Sequence, residues 1–122
     1  MNMKGEAMLH IHTDRVGDVA VVQCEGRLVR SDAAFHLRDE VVSQADARAI
    51  VLDLSEVNAL EGGGLGMVMF LQRWAHDRDI QMKLFNPTAP VRSRLEQVEW
   101  IPEFEFASAD AVSELLRRQH IQ

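Results

Sequence analysis

Residues 50–66 read Ile-Val-Leu-Asp-Leu-Ser-Glu-Val-Asn-Ala-Leu-Glu-Gly-Gly-Gly-Leu-Gly, and this stretch decides the fold. The run from Ala49 to Leu54 is apolar at almost every position and has the length of one strand. Such a run is expected of a strand covered on both faces. It leads into Gly62, Gly63, Gly64 and Gly66, a cluster that reads as a tight strand-to-helix turn needing unusual backbone angles. A helix is expected to begin inside the cluster and continue to about Asp77.

Working outward, the same alternation of strand and helix signals continues in both directions. Met8 to Thr13 alternates, with Leu9 and Ile11 on one face and His10 and His12 on the other. Asp14 to Asp18, containing Gly17, reads as a hairpin turn. Val19 to Glu25 is a second strand rich in valine, which Gly26 is expected to close. Ser31 is the expected N-cap of a helix reaching about Ala47, with Ala34, Leu37, Val41 and Ala45 as its buried stripe. Downstream, Gln81 to Phe85 reads as a strand, and Asn86-Pro87-Thr88 as a turn with Thr88 as N-cap. Pro90 is tolerated in the first turn of the helix that follows, which buries Val91, Leu95 and Val98. Phe104 to Phe106 is a short strand, and Ser108 caps a last helix packed through Val112, Leu115 and Leu116. A hairpin followed by helix–strand units implies an α/β fold, a mixed sheet of about five strands with about four helices and right-handed parallel crossovers.

Composition sets the outer bounds. The chain has 122 residues, 47% hydrophobic and 26% charged, which suits one soluble globular domain spanning 1–122, with 1–7 read as a flexible N-terminal extension. Thirteen Lys and Arg stand against 19 Asp and Glu, and the net charge of −6 opposes a general nucleic-acid role. The apolar stretch Leu65 to Leu71 is too short for a transmembrane segment. Met1 to Met8 carries Lys4 and Glu6 and does not read as a signal peptide. The single cysteine, Cys24, leaves no internal disulfide to form, and a cytoplasmic location is the natural expectation.

The 50–66 stretch resembles the signature of the STAS family, the sulfate-transporter and anti-sigma-factor-antagonist domain. There a buried strand ending in Asp-Leu-Ser leads into an Asp-Ser-Ser-Gly-Leu-Gly turn. Cys24-Glu-Gly-Arg-Leu28 resembles the family's Gly-Glu-Leu-Asp element, Phe85-Asn-Pro-Thr88 its strand-to-helix turn, and Trp100 to Leu116 its closing segment. The departures are informative. Glu61 stands for the family's Asp, Val29 for the Asp of Gly-Glu-Leu-Asp, and Gly63 for the second serine. Gly62 falls where antagonists carry the serine that their partner kinase phosphorylates. Glycine has no hydroxyl, so the family's phosphorylation switch is absent at that position, and Ser31 and Ser55 stay open as substitutes.

The resemblance implies an anti-sigma-factor antagonist acting by protein–protein binding to a serine-kinase anti-sigma factor. Its expected contact residues are Glu61, Gly62, Gly63, Leu65, Met69 and Arg73. A helical wheel of the post-glycine segment puts Met67, Val68, Phe70, Leu71, Trp74 and Ala75 on the core arc. Leu65 and Met69 then join Gln72, Arg73 and His76 on the outer face as a docking patch. One alternative is a STAS subunit that docks on the ATPase of a phospholipid ABC transporter. Another is a small-anion or nucleotide sensor using the glycine turn, although the spacing fits neither a P-loop nor a dinucleotide fingerprint.

Other chemistry-bearing residues read as structural. His10 and His12 share a strand face with no further ligand placed beside them, so no metal is expected. Cys24 reads as a small buried hydrophobe. Trp100, Phe104 and Phe106 read as an aromatic lid on the sheet edge. His36 and His120 have no nucleophile or orienting acid at a suggestive spacing. Neither catalytic residues nor a cofactor is expected.

Overall fold

The computed structural model describes residues 9–98 and 104–121. The proposed 1–7 extension and Trp100 lie outside them. Five strands and four helices follow in the order β1 (His10–Val16), β2 (Val19–Leu28), α1 (Ser31–Val42), β3 (Ala49–Leu60), α2 (Gly63–Asp77), β4 (Gln81–Phe85), α3 (Ala89–Glu96), β5 (Glu105–Ala107) and α4 (Ala109–Ile121). The sheet order is β1-β2-β3-β4-β5. Only β1 pairs antiparallel, with Val16 opposite Val19 across a two-residue turn at Gly17 (φ 59°) and Asp18. The remaining neighbours are parallel, which the intervening helices require.

Alternation along β2 and β3 distributes the core between two layers. Ala20, Val22 and Cys24 of β2, with Ile50, Leu52 and Leu54 of β3, join Leu37 and Val41 of α1, Val68 and Leu71 of α2, and Val91 and Leu95 of α3. Val19, Ala49 and Val51 point the other way and meet Val112, Leu115 and Leu116 of α4. The first half of β3 is therefore covered on both sides, as its unbroken apolar run suggested. Gln119 ties α4 to the hairpin, its Oε1 accepting from the Asp18 N–H at 2.8 Å.

Several boundaries differ from the sequence reading. β3 continues to Leu60, six residues beyond the apolar run, because its second half breaks alternation. The β2–β3 ladder slips between Gln23 and Glu25 and again between Gly26 and Arg27. Each slip inserts an extra β3 residue, as in a β-bulge. Asp53 stabilises the first slip, its Oδ1 accepting from the Ser55 N–H at 3.0 Å and the Ser55 hydroxyl at 2.6 Å. Gly26 does not end β2 but bends it, with φ 120° at the second slip. Helix α1 stops at Val42, and Ala45 is exposed in the turn that follows. Its N-cap is Arg30, so Ser31 opens the first turn. Val98 lies just past α3, half-buried. Thr88 holds the N-cap position of α3, but its hydroxyl donates to the Val57 carbonyl at 3.1 Å, pinning that turn to β3. Ser108 caps α4 through the Ala111 N–H at 3.1 Å.

Candidate functional site

The site is built where β3 hands the chain to α2. Glu61, Gly62, Gly63 and Gly64 form a β-turn closed by the Gly64 N–H donating to the Glu61 carbonyl at 3.0 Å. Gly62 has φ 52° and ψ −123°, the first central position of a type II′ turn, which side chains disfavour. The Gly66 N–H then donates to the Gly62 carbonyl at 3.0 Å and starts the helix. Two N–H groups of the cluster are thus used within the turn itself. Glu61 carries an exposed carboxylate directly before it, an unfavourable neighbour for an anion.

The glycines have different physical reasons. Gly62 is required by its backbone angles. Gly64 is required by contact, since a Cβ there would collide with the Leu28 carbonyl at the end of β2. Gly63 has neither constraint: its Cβ would lie 3.7 Å from the Val29 carbonyl oxygen and 3.8 Å from Ser31 Cα, ordinary contacts. Gly66 is exposed, with open space around it. The close packing at Gly64 also brings the Glu61 N–H to the Leu28 carbonyl at 3.3 Å. As a result the 28–31 segment and the 61–64 turn run side by side and make one surface. Arg30, Ser31, Asp32, Glu61, Gly62 and Gly63 are all exposed on it.

The contact with Leu28 also sets the rotation of α2. Gly64, Val68, Leu71, Gln72 and Ala75 are buried, a stripe at i, i+4, i+7, i+8 and i+11. This corrects two assignments of the wheel. Gln72 belongs to the inner face, with only 8% of its surface exposed, and Phe70 belongs to the outer face, 50% exposed. Leu65, Met67 and Trp74 are partly buried against the main core. The outer face runs Gly62, Gly66, Met69, Phe70, Arg73, Asp77. Its apolar pair is therefore Met69 and Phe70, with Leu65 on the flank. Arg73 lies 3.4 Å from Asp77, and Arg78 lies over the Trp74 ring at 5.3 Å. Sequence reasoning missed Phe70 because the wheel centred the core on the largest side chains. The Gly64–Val68–Leu71–Ala75 spacing carried the correct rotation.

Elsewhere, His10 and His12 are exposed, and His12 Nε2 lies 3.2 Å from Asp14. They border a shallow depression of about 310 Å³ with Gln23, Glu25, Asp53 and Ser55 on the sheet face beyond α4. Among the described residues, no three His, Cys, Asp or Glu side chains come together as a metal site. Cys24 is buried, and burial, with the Asp53 charge second, pushes its thiol up to about 12. Phe104 and Phe106 pack against the main core, and Arg92 lies 4.1 Å over the Phe106 ring. His36 is exposed on α1, and the His120 side chain lies outside the described residues. Among the described residues, no helix is long and apolar enough to cross a membrane.

A five-stranded mixed sheet with a glycine turn opening α2 defines a STAS-type domain. The family model described as "Mlab, STAS domain" matches residues 11–100, and the chain belongs to that family, STAS_2. Among curated proteins no significant relative is found. Solved structures agree on the fold. The Bacillus cell-fate determinant SpoIIAA in its phosphorylated form is similar with TM-score 0.68 and 17% identity, over 88% of this chain and 100% of that one. RsbS of Moorella thermoacetica gives 0.70 and 14%, over 93% and 99%. The murine anion transporter Slc26a9 gives 0.70 and 16%, over 86% of this chain but 18% of the transporter.

Proposed function

We propose that this protein is an anti-sigma-factor antagonist-like binding protein. It acts in the bacterial cytoplasm, regulates transcription by capturing a serine-kinase anti-sigma factor, and takes no phosphate at position 62. The role is binding and not catalysis. The exposed turn and the outer face of α2 support the binding part of this reading, and the glycine-only corner at Gly62, where the antagonists it resembles hold their serine, supports only the absence of phosphate there. The turn and the outer face of α2 expose Glu61, Gly62, Gly63, Phe70 and Arg73, with half-buried Met69 among them. The backbone corner and two apolar side chains suit a protein surface.

A second reading, docking on the ATPase of a phospholipid ABC transporter, has its own support. A turn that offers no hydroxyl suits a partner that is not a kinase, and the same fold occurs within the transporter Slc26a9. Binding assays with purified serine-kinase anti-sigma factors and transporter ATPases from the source genome separate the two. The first reading expects a stable complex with a kinase-type partner, weakened by Met69→Asp and Phe70→Asp. Binding to an ATPase alone supports the second, and binding to neither refutes both.

A further inference from the structure

Strand β1 is an outer edge of the sheet: among the described residues it pairs with β2 alone. It runs 7 residues, His10 to Val16, in unbroken register with β2 and without proline, glycine or a bulge. Such an edge is a ready template for another strand. The hairpin fixes which groups it offers. Val16 and Val19 flank a two-residue turn and form a hydrogen-bonded pair, so Val16, Asp14, His12 and His10 turn their N–H and C=O groups toward β2. Ile11, Thr13 and Arg15 turn theirs outward. Side chains on the α1 face hold this edge in place: the Thr13 hydroxyl donates to Glu40 at 3.1 Å, and Arg15 Nη1 donates to Asp46 at 3.0 Å. On the other face the His12 and Asp14 side chains are 70% and 62% exposed.

We propose that β1 pairs with β1 of a second copy of this chain, antiparallel about a two-fold axis at Thr13. Charge complementarity selects this register. It sets Ile11 opposite the partner's Arg15 and Thr13 opposite the partner's Thr13, so every outward N–H and C=O group of β1 is used. It also sets His12 opposite the partner's Asp14, at the close non-hydrogen-bonded position where side chains meet. The imidazole N–H then donates to the carboxylate across the strands, a partnership His12 Nε2 already approaches with its own Asp14 at 3.2 Å. Moving the axis by one residue spoils the match. An axis at Asp14 stacks two carboxylates and an axis at His12 stacks two imidazoles, and either leaves an outward residue without a partner in β1. An axis at Ile11 or Arg15 pairs only one end of the strand. On the α1 face the Thr13 axis brings two Glu40 carboxylates toward each other, with the partner's Arg15 diagonal to each as the compensating cation.

Sedimentation equilibrium and amide hydrogen exchange on the full chain test this pairing. The wild type should form a dimer whose fraction rises between low micromolar and about millimolar concentration. Over the same range the Ile11, Thr13 and Arg15 amides should gain protection, a readout that needs no variant. Asp14→Lys and His12→Asp should each weaken association about tenfold or more, because the two-fold axis spoils both cross-strand pairs at once. The two substitutions change net charge in opposite directions, so a general charge effect does not weaken both. His12→Asp combined with Asp14→Lys rebuilds an opposite-charge pair and should return association to within about threefold of the wild type. Since both side chains are exposed, all three variants should melt within about 4 °C of the wild type. A wild type that stays monomeric across the range overturns the inference. So does a dimer in which the three amides stay unprotected, or a double variant that fails to recover. Protection of these amides only when a kinase or ATPase is added would assign the edge to another chain and overturn it equally.

Discussion

Three serine substitutions in one turn provide the sharpest test of the site. The positive φ of Gly62, with ψ −123°, is a region where a side chain costs about 1–3 kcal/mol. A smaller unfolded chain entropy does not offset that cost at an incompatible position. Gly62→Ser should therefore destabilise the domain by about 1–3 kcal/mol, lowering the melting temperature by about 3–12 °C for a chain of this size. Gly63→Ser meets only ordinary contacts at 3.7–3.8 Å and should change stability by less than about 1 kcal/mol. Gly64→Ser drives a Cβ into the Leu28 carbonyl, which neither backbone can vacate without moving α2 off β2. Its cost should be about 3 kcal/mol or more. Thermal and urea unfolding, followed by circular dichroism, ranks the three. If Gly62→Ser melts with the wild type, the turn reaches a negative φ without cost. The assignment of position 62 as a glycine-only corner is then wrong. If Gly64→Ser is benign, the close approach of α2 to β2 is wrong.

Gly66 is exposed in α2 with open space around it, so Gly66→Ala should stabilise by about 0.5–1 kcal/mol in the same melts. Leu65→Asp, which inserts a charge against the main core, should destabilise by several kcal/mol, whereas Met69→Asp should fold. Equal stability of the two would refute the observed rotation of α2. Phe70→Ala should cost under about 1 kcal/mol and Leu71→Ala about 2–5 kcal/mol, because Phe70 is half exposed and Leu71 is fully buried in the core. The Cys24 thiol, held near 12 in the fold, ionises more easily once unfolded. Its contribution to stability is present below the unfolded pKa and is lost as pH rises toward 12, by up to about 1.4 kcal/mol per pH unit. Urea titrations above pH 9 should show that slope, and Cys24→Ala should flatten it. A hydrogen bond and the charge of Arg15 hold the exposed Asp46 carboxyl below its usual range. Its contribution is present at neutral pH and disappears as pH falls through the folded value. In an NMR titration, Arg15→Ala should return Asp46 toward an ordinary carboxylate.

The sequence by itself determined the layered α/β plan. Val19 to Glu25, Ile50 to Leu54 and Gln81 to Phe85 carry strand patterns that burial enforces locally, and helix-period stripes separate them. Ser108 caps a group three residues on, and Asn86-Pro87-Thr88 sets its own backbone turn, so their positions were legible as well, although the Thr88 hydroxyl reaches distant Val57 instead of capping its helix. What sequence could not supply were features set by contacts between distant segments. β3 ran on to Leu60 because two slips against β2, one held by Asp53 and Ser55, replaced the alternation that marks a strand. Phe70 and Gln72 exchanged faces because one glycine, Gly64, had to lie against Leu28, and that contact fixed the helix's rotation. The glycine cluster was visible as a turn, but only tertiary structure gave each residue its reason. Gly62 answers to its own φ and ψ, Gly64 to a carbonyl thirty-six positions away, and Gly63 to neither. The same packing set Ser31 beside the turn, a proximity between two parallel strand ends that no local periodicity encodes.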